Sequence, residues 1–270
     1  MTSDKPILWG SAAVVLAAAA AIYFYYSRQS TEPAAPLPVR HSSAPAPAST
    51  EPQIQHPVPA PEHSAPAPQP LPALNESDQA VHDALTALPG SAAVEKMLVP
   101  QSLVRHIVVT VDNMPRKKVA VELRPLKATA GQFITAGNGD HVTLAPQNYA
   151  RYAPFIELVK SSDSKQLAAL YFHFYPLFQQ AYEDLGYPSQ YFNDRVIEVV
   201  DNLLETPDLK GPVELVQPNV MYQYADPKLE ALSAGQKTLL RMGSDNVAIV
   251  KAKLRELRGL LATRQPPQQH

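Results

Sequence analysis

Apolar and aromatic positions recur at helical spacing in the middle of the chain, where the sequence reads LYFHFYPLFQQAYEDLGYP from Leu170 to Pro188. Asp163 before this stretch and Gly186 near its end are typical of a helix start and a helix end, so the pattern predicts a helix over 164–185. Seven apolar positions of this helix fall within one arc of about 100°, as expected of a core-facing stripe. They are Leu167, Leu170, Tyr171, Phe174, Phe178, Ala181 and Leu185.

Most of these aromatic side chains are therefore interpreted as core rather than as a ligand site. His173 falls outside the arc. The sequence places no second histidine and no carboxylate where it could support His173 as a base or a ligand. A packed or solvated histidine is therefore favoured.

The same periodicity predicts further helices on both sides of this one. The next helix is SQYFNDRVIEVVDNLL with Ser189 as its cap, and the two together form a helical hairpin. Earlier helices are expected over 75–88, 91–98 and 102–114, and the last one over 244–263. At 102–114 the β-branched residues make a strand the alternative.

Short apolar runs around glycines predict a small amount of sheet. QFITAGNGDHVTL has two such runs around Gly137 and Gly139, and glycine tolerates the positive φ of a tight turn, so this segment is predicted to be a β-hairpin. Short strands are expected at 119–123, 212–216 and 220–225. The fold class is thus mainly α with a small antiparallel β element (α+β), in one globular domain over 75–264 with a disordered tail at 265–270.

The amino-terminal part has a different pattern. Residues 7–26, ILWGSAAVVLAAAAAIYFYY, carry no charge, and about 20 residues suffice to cross a bilayer core, so a single transmembrane helix is predicted after a short tail at 1–6. A cleaved signal peptide is the alternative. A short N-terminal tail before a long C-terminal domain favours an uncleaved signal anchor, with the domain outside the cytoplasm.

Residues 27–74 are rich in proline and alanine and are predicted to form an extended linker. About half of the 28 prolines in the chain lie between Pro33 and Pro72. Because proline fixes φ and disfavours helix in the preceding residue, the linker is expected to be semi-rigid and to pack no core. A plain spacer is favoured, and a polyproline ligand for a partner is the alternative.

Several blocks of the domain resemble a known family. The stretches VRHIVVTVDNMPR, YPLFQQAYEDLGYPSQYFNDR, PVELVQPNVMYQYADPKLEALSAGQKTLLRMGSDN and VKAKLRELR are similar to the domain-of-unknown-function family catalogued as number 3014. The resemblance implies an N-terminal membrane segment, a proline-rich linker and one C-terminal domain, in a Gram-negative bacterium. It carries over no catalytic residues.

Composition and motifs exclude several kinds of chemistry. The chain has no cysteine, which rules out disulfides, thiolate metal sites and thiol nucleophiles. Its formal charge of −2 gives no case for nucleic acid as a partner. No metalloprotease, serine-hydrolase, P-loop or dinucleotide motif is present, so no catalytic, cofactor-binding or metal-binding residue is assigned and no cofactor is expected. The adjacent acids Glu183 and Asp184 point in different directions on a helix and are interpreted as solvated surface.

Eight polar residues remain as candidates for an interaction site. Asp112, Asn113, Asp194, Arg195 and Arg241 lie in the family-like blocks, where they could line a site, although helix capping and ion pairing explain them equally well. In the last helix, Lys251, Arg255 and Arg258 form a basic stripe. That stripe is either a solvated flank or a contact for an acidic partner, an anionic glycan polymer or lipid headgroups.

Three functional hypotheses follow. The preferred one is a non-enzymatic binding or scaffold protein of the cell envelope, anchored in the bacterial inner membrane and carrying its domain into the periplasm to meet an envelope protein or the cell wall. The second is an enzyme acting on the wall, with Asp112, Asp194 and Arg241 in its pocket. The third is an oligomerisation module formed by the last helix.

Overall fold

The structure, a computed structural model, describes residues 54–59, 70–89, 91–139 and 141–262. This part of the chain is mainly helical with one small antiparallel sheet, which confirms the predicted α+β class. The α-helices are α1 (Asp78–Thr86), α2 (Ser91–Met97), α3 (Leu103–Asn113), α4 (Gln147–Ala150), α5 (Ala153–Ser161), α6 (Ser164–Asp184), α7 (Phe192–Leu204), α8 (Pro227–Glu230), α9 (Ala234–Leu240) and α10 (Ser244–Leu261). The strands are β1 (Thr135–Asn138), β2 (His141–Leu144), β3 (Glu214–Val216) and β4 (Gln223–Tyr224).

The predicted membrane segment at 7–26 lies outside the described residues, together with the terminal tails at 1–6 and 265–270 and most of the linker. Within the described ranges, no helix is both long enough and apolar enough to cross a membrane. The membrane segment stays a prediction.

Helix α6 lies at the centre of the main core, between α3, α7 and α10. The Asp163 carboxylate accepts the backbone N–H of Gln166 at 2.8 Å, which is the predicted N-cap. Because α6 has neighbours on several sides, its buried sector is wider than one stripe and includes Tyr175 and Tyr182. Leu185, which was expected in the core, is 40% exposed because it lies at the C-cap, beyond the packed turns.

The last helix, α10, packs inside the domain rather than along its surface. Val247 and Val250 contact a core that α5, α7 and α9 also line, and Leu261 packs against Ile197 of α7. Burial of each such side chain contributes roughly 1.5–3 kcal/mol. Much of the apolar seam that suggested an oligomerisation module is therefore used within the domain.

The sheet has the order β1-β2-β3-β4, and every neighbouring pair is antiparallel. The hairpin was predicted, and Gly137 is required in it because its φ is +86° and a Cβ there would lie 2.0 Å from the His141 carbonyl oxygen. The strand expected at 119–123 was wrong. Val121–Leu123 form a 3₁₀ turn instead, and Leu123 at its end is 41% exposed rather than packed in a core.

Candidate functional site

A short proline-containing segment of the linker is bound on the surface of the domain. We call residues 54–59 the strap. The carboxylate of Asp194, in the first turn of α7, accepts two consecutive backbone N–H groups of the strap. Gln55 donates to Oδ2 at 3.0 Å and His56 donates to Oδ1 at 2.7 Å. Both oxygens of one carboxylate are thus used on peptide backbone.

Two neighbours of Asp194 complete the binding of the strap backbone. The hydroxyl of Tyr191 accepts the N–H of Val58 at 2.9 Å, and Nδ2 of Asn193 donates to the carbonyl of His56 at 2.8 Å. Three polar residues at the start of α7 therefore satisfy four backbone groups of the strap. The side chain of Val58 also packs against the main core.

These contacts differ from the linker that was predicted over 27–74. The expectation was an extended segment that packs no core, because its prolines fix φ and disfavour helix in the preceding residues. At 54–59 the chain is instead held through backbone N–H and C=O groups. Every residue has these groups, except that proline lacks the N–H. Leu74, at the end of the predicted linker, is also buried in the main core.

The position of Tyr191 is fixed by a side chain of the preceding helix. The amide of Gln179 in α6 donates to the carbonyl of Gln190 at 2.9 Å and accepts the N–H of Phe192 at 2.8 Å. This clamp takes the place of the cap expected from Ser189, because the N-cap residue of α7 is Tyr191 and its side chain makes no capping bond. The ring of Tyr191 also packs against that of Tyr175, with centroids 5.3 Å apart.

Asn193 is a fully buried polar hub. Its Oδ1 accepts the hydroxyl of Tyr171 at 3.0 Å, and its Nδ2 is shared between the carbonyls of His56 and Leu261. One amide therefore connects the strap, α6 and the end of α10. Because a buried amide without partners is costly, the strap and α10 both contribute to keeping α7 in place.

Next to the strap is an open groove of about 920 Å³, large enough to hold a ligand beyond the strap itself. Its walls come from the end of α3, the α6–α7 corner and the exposed side of α7. They are Gln55, His56, Asp112, Pro115, Arg116, Tyr182, Tyr187, Gln190, Tyr191, Asp194, Arg195, Ile197, Glu198, Asp201, Asn202 and Glu205.

A charged network forms the floor of the groove around Asp112, which is buried. Asp112 pairs with Arg116 at 2.7 Å and with Arg195 at 3.2 Å, and Arg195 also donates to its backbone carbonyl at 2.7 Å. Arg195 in turn pairs with the exposed Glu198 at 2.7 Å. The Arg116 guanidinium also donates to the hydroxyl of Tyr187 at 2.7 Å. A carboxylate held between two guanidinium groups joins α3 to α7 and is poorly placed to accept a proton from a substrate.

Burial keeps three tyrosine hydroxyls of the main core neutral at ordinary pH. Burial raises the pKa of the Tyr182 hydroxyl to about 12, partly opposed by the charge of Arg195. Burial also raises the pKa of Tyr171 and of Tyr175 well above the usual range. Among the residues that the structure describes, no group of three or more histidines and acids is placed to hold a metal ion.

The eight candidate residues do not form one site. Asp112, Asp194 and Arg195 line the groove. Asn113 does not line it, since its amide donates to the Val109 carbonyl of its own helix at 2.7 Å. Arg241 lines a different pocket, beside the sheet, so the suggested enzyme pocket of Asp112, Asp194 and Arg241 is not a single cavity.

The basic stripe of α10 is divided in the structure. Lys251 is buried, and it donates to the Thr206 carbonyl and pairs with Asp208 at 2.8 Å. Arg258 binds both oxygens of Asp201. Of the three residues of the stripe, Arg255 alone is exposed and has no ion pair with a described residue. Lys251 was expected at the surface, but its position beside the apolar seam turns it inward, where it joins α10 to the segment after α7.

Sequence reasoning missed Tyr191 and Asn193. A signal for Asn193 was present, because it lies three, four and seven positions before Val196, Ile197 and Val200 and so shares the apolar face of α7. A polar amide on an apolar face usually has hydrogen-bond partners. Nothing in the local pattern identifies a strap as one of those partners.

Comparison with known proteins assigns this sequence to a family. The sequence matches the family described as "Protein of unknown function (DUF3014)" over residues 103–258. The chain belongs to the DUF3014 family. Searches of curated proteins and of solved structures returned no match. The DUF3014 match begins at the first residue of α3 and ends within α10, so it contains Asp112, Asn193 and Asp194, whereas the strap lies outside it.

Proposed function

We propose that this DUF3014 protein is a non-enzymatic binding protein of the bacterial cell envelope, anchored in the inner membrane by residues 7–26. Its C-terminal domain binds an extended peptide segment in the groove beside α7. The supporting observation is the bonding of the strap, in which Asp194, Tyr191 and Asn193 satisfy four backbone groups of residues 55–58.

Recognition through the backbone extends to other peptides. The N–H and C=O groups that bind are common to all extended chains, so side chains of the peptide add selectivity only where they meet the groove. The proline at 57 donates no N–H and none is needed from it, because the bonds involve Gln55, His56 and Val58. A segment with proline between two donors therefore fits the pattern of acceptors on α7.

Binding of the strap to α7 also sets the reach of the domain. With the strap bound, about 27 linker residues (27–53) separate it from the predicted membrane helix, roughly 85 Å at 3.1 Å per residue in an extended polyproline conformation. If a partner displaced the strap, the free linker would extend to about residue 73, and the reach would rise to roughly 145 Å by the same estimate. Binding of a partner would thus free the domain to move further from the membrane.

A wall-acting enzyme is less well supported. Asp112 is held by Arg116 and Arg195, and Asp194 accepts two backbone N–H groups, so neither carboxylate is arranged as an acid or base with an open face. These features suit structural and binding roles better than proton transfer.

The experiment is peptide binding to the full-length chain in mild detergent. The strap is first released from α7 by replacing Gln55, His56 and Val58 with proline, which removes the three N–H groups that Asp194 and Tyr191 accept, and a fluorescent peptide with the sequence of residues 51–60 is then added. Fluorescence polarisation should show saturable binding, and the unmodified chain should bind more weakly because its own strap competes at high effective concentration.

Two matched controls make this test specific for the backbone contacts. A peptide carrying an N-methyl group on the residue equivalent to His56 lacks the N–H that Asp194 accepts, and it should bind at least about tenfold more weakly. Asp194→Ala in the strap-replaced chain should produce a similar loss. Binding that is unaffected by both changes, or no binding at all, would contradict the proposed function.

A further inference from the structure

A second pocket lies beside the sheet and makes no use of the strap. We call it the arginine pocket. It has a volume of about 370 Å³, within the range of small-molecule sites, and it is lined by Phe133, Leu144, Arg151, Tyr152, Leu215, Val220, Met221, Tyr222, Gln223, Tyr224 and Arg241. Among the described residues that line it, the two arginines are the charged ones.

Neither guanidinium has an acidic partner in the part of the chain that the structure describes. Arg151 donates to neutral oxygens, with distances of 3.0 Å to the Ala130 carbonyl and 3.1 Å to the Gly131 carbonyl and to Thr129 Oγ1. The charge of Arg241 acts on the Tyr224 hydroxyl, and that hydroxyl donates its proton to the Lys237 carbonyl at 3.1 Å. No ion pair joins either arginine to a described carboxylate, so both positive charges remain uncompensated at this pocket.

Glu230 is the acid whose charge interacts with Arg241, but it already has a partner in Lys237. Burial raises the pKa of Glu230, but its bonds with Lys237 and with the backbone of Tyr224, together with the charge of Arg241, lower it below the ordinary value. Lys237 lies 2.8 Å from the Glu230 carboxylate. Glu230 therefore stays ionised, yet its first partner is the lysine and it does not line the pocket.

The remaining walls are apolar and partly uncovered. Val220 is 86% exposed and Met221 is 75% exposed, and both are on the loop between β3 and β4. Phe133 packs its ring against that of Tyr222 at a centroid distance of 5.7 Å on the other part of the rim. An occupant that covers these side chains while placing an anion near Arg241 would gain both apolar burial and a charge-assisted hydrogen bond.

We infer that the arginine pocket binds a small organic acid with an aromatic or short aliphatic body, its carboxylate at Arg241 and its apolar part against Met221 and Tyr222. A guanidinium offers the planar pair of donors that a carboxylate accepts. The pocket is too small for a folded partner, and its uncompensated charge disfavours a wholly apolar ligand. This site is independent of the proposed peptide groove.

The test follows methyl groups of the full-length chain by NMR. The chain has five methionines, of which Met221 lines the pocket and Met97 lies in α2, away from it. With ¹³C-methyl methionine, phenylacetate should shift the Met221 signal in a saturable way and leave the Met97 signal in place. Phenylacetamide, which has the same shape without the charge, should bind about tenfold more weakly.

Variants then assign the effect to Arg241. Arg241→Gln should reduce phenylacetate binding to the level of phenylacetamide, whereas Arg241→Lys should keep part of the difference. Arg255→Gln, at an exposed arginine of α10 outside the pocket, should change nothing. The inference is overturned if Met221 does not respond, if the acid and the amide bind equally well, or if Arg241→Gln leaves phenylacetate binding unchanged. The comparison of acid with amide needs no variant, so it decides the matter even if Arg241→Gln fails to fold.

Discussion

The carboxylate of Asp194 accepts the backbone N–H of His56 at 2.7 Å, across 138 positions of the sequence. This bond joins the proline-rich linker to the first turn of α7. The composition of this segment predicts a spacer, but the bond attaches the segment to the folded domain. Substitution of the residues beside Asp194 should therefore affect the stability of the domain as well as the position of the strap.

Asn193→Ala should destabilise the domain strongly. The substitution leaves the Leu261 carbonyl and the Tyr171 hydroxyl without their amide partner in a buried place, and we expect the free energy of unfolding to fall by about 2–4 kcal/mol. Urea unfolding followed by far-ultraviolet circular dichroism measures this loss. Asn75→Ala is the matched control, because the exposed Asn75 amide accepts one bond from Arg105 at 3.2 Å, and it should cost less than about 1 kcal/mol. Equal losses for the two variants would contradict the role of Asn193 as a buried hub.

Asp112→Asn should also lower stability, because it leaves Arg195 without its buried counter-charge. Arg195 has only 16% of its side chain exposed, whereas Arg116 is half-exposed and can turn to water. We expect a loss of about 2–4 kcal/mol, towards the lower end of what breaking a buried ion pair costs. Combining Asp112→Leu with Arg195→Met removes both charges and should recover part of the loss in the same urea assay. A double variant that is less stable than the Asp112→Asn protein by more than about 1 kcal/mol would argue against charge pairing as the main contribution.

Two glycines should respond to alanine in opposite directions. Gly243 precedes α10 with φ +84°, and a Cβ there would lie 2.7 Å from the ring of Tyr149, so Gly243→Ala should lower the free energy of unfolding by about 2–3 kcal/mol. Gly259 lies inside α10 with open space around its Cβ position, so Gly259→Ala should raise it by about 0.5–1 kcal/mol. Thermal unfolding by calorimetry would distinguish the two, and a stabilising Gly243→Ala would show that the turn before α10 is described wrongly.

The ion pair between Asp201 and Arg258 predicts a specific pH dependence. The hydrogen bond from Arg258 lowers the pKa of Asp201 from its ordinary value of 3.8. A lowered folded-state pKa gives stability that is present above about pH 4 and is lost as the pH falls through the folded-state pKa. The contribution of this part-exposed pair is on the order of 0.5 kcal/mol.

Asp201→Asn should therefore show a smaller loss of stability than the unmodified chain between about pH 5 and pH 2, because position 201 no longer titrates. Some acid sensitivity should remain, since Asp208 also has a lowered pKa through its bond with Lys251. Urea unfolding at several pH values measures both curves. Identical curves would mean that the pair contributes nothing in solution.

The parts of the fold that were predictable from sequence depend on local signals. Helix α6 was found from its periodicity and from Asp163 as its cap, and the β1–β2 hairpin from Gly137 and Gly139. Helix α3 was found despite its β-branched residues, because its apolar side chains recur at helical rather than alternating spacing. At 119–123 a run of β-forming residues lacked the tertiary neighbours of a strand, and local propensity was therefore misleading.

The candidate site was predictable only in part, because local sequence signals do not reveal contacts between residues far apart in the chain. Asp112, Asp194 and Arg195 were chosen as polar residues in family-like blocks, and the structure does bring them to one groove. The strap could not be found, because a backbone-mediated contact leaves no side-chain pattern in the linker. Lys251 was misplaced because its partners, Thr206 and Asp208, follow α7 and are more than 40 positions away in sequence.

The most direct test of the peptide-binding groove is the distance between the strap and α7 in solution. The chain contains no cysteine, so Ile54→Cys and Ser189→Cys, both at exposed positions, place exactly two spin labels on the full-length protein. Double electron–electron resonance should give one narrow distance distribution for this protein. It should become broad when Asp194→Ala removes the acceptor, or when an excess of the peptide with the sequence of residues 51–60 displaces the strap. A broad distribution in the protein with Asp194 intact, or a narrow one that neither change affects, would contradict a strap held in the groove by Asp194.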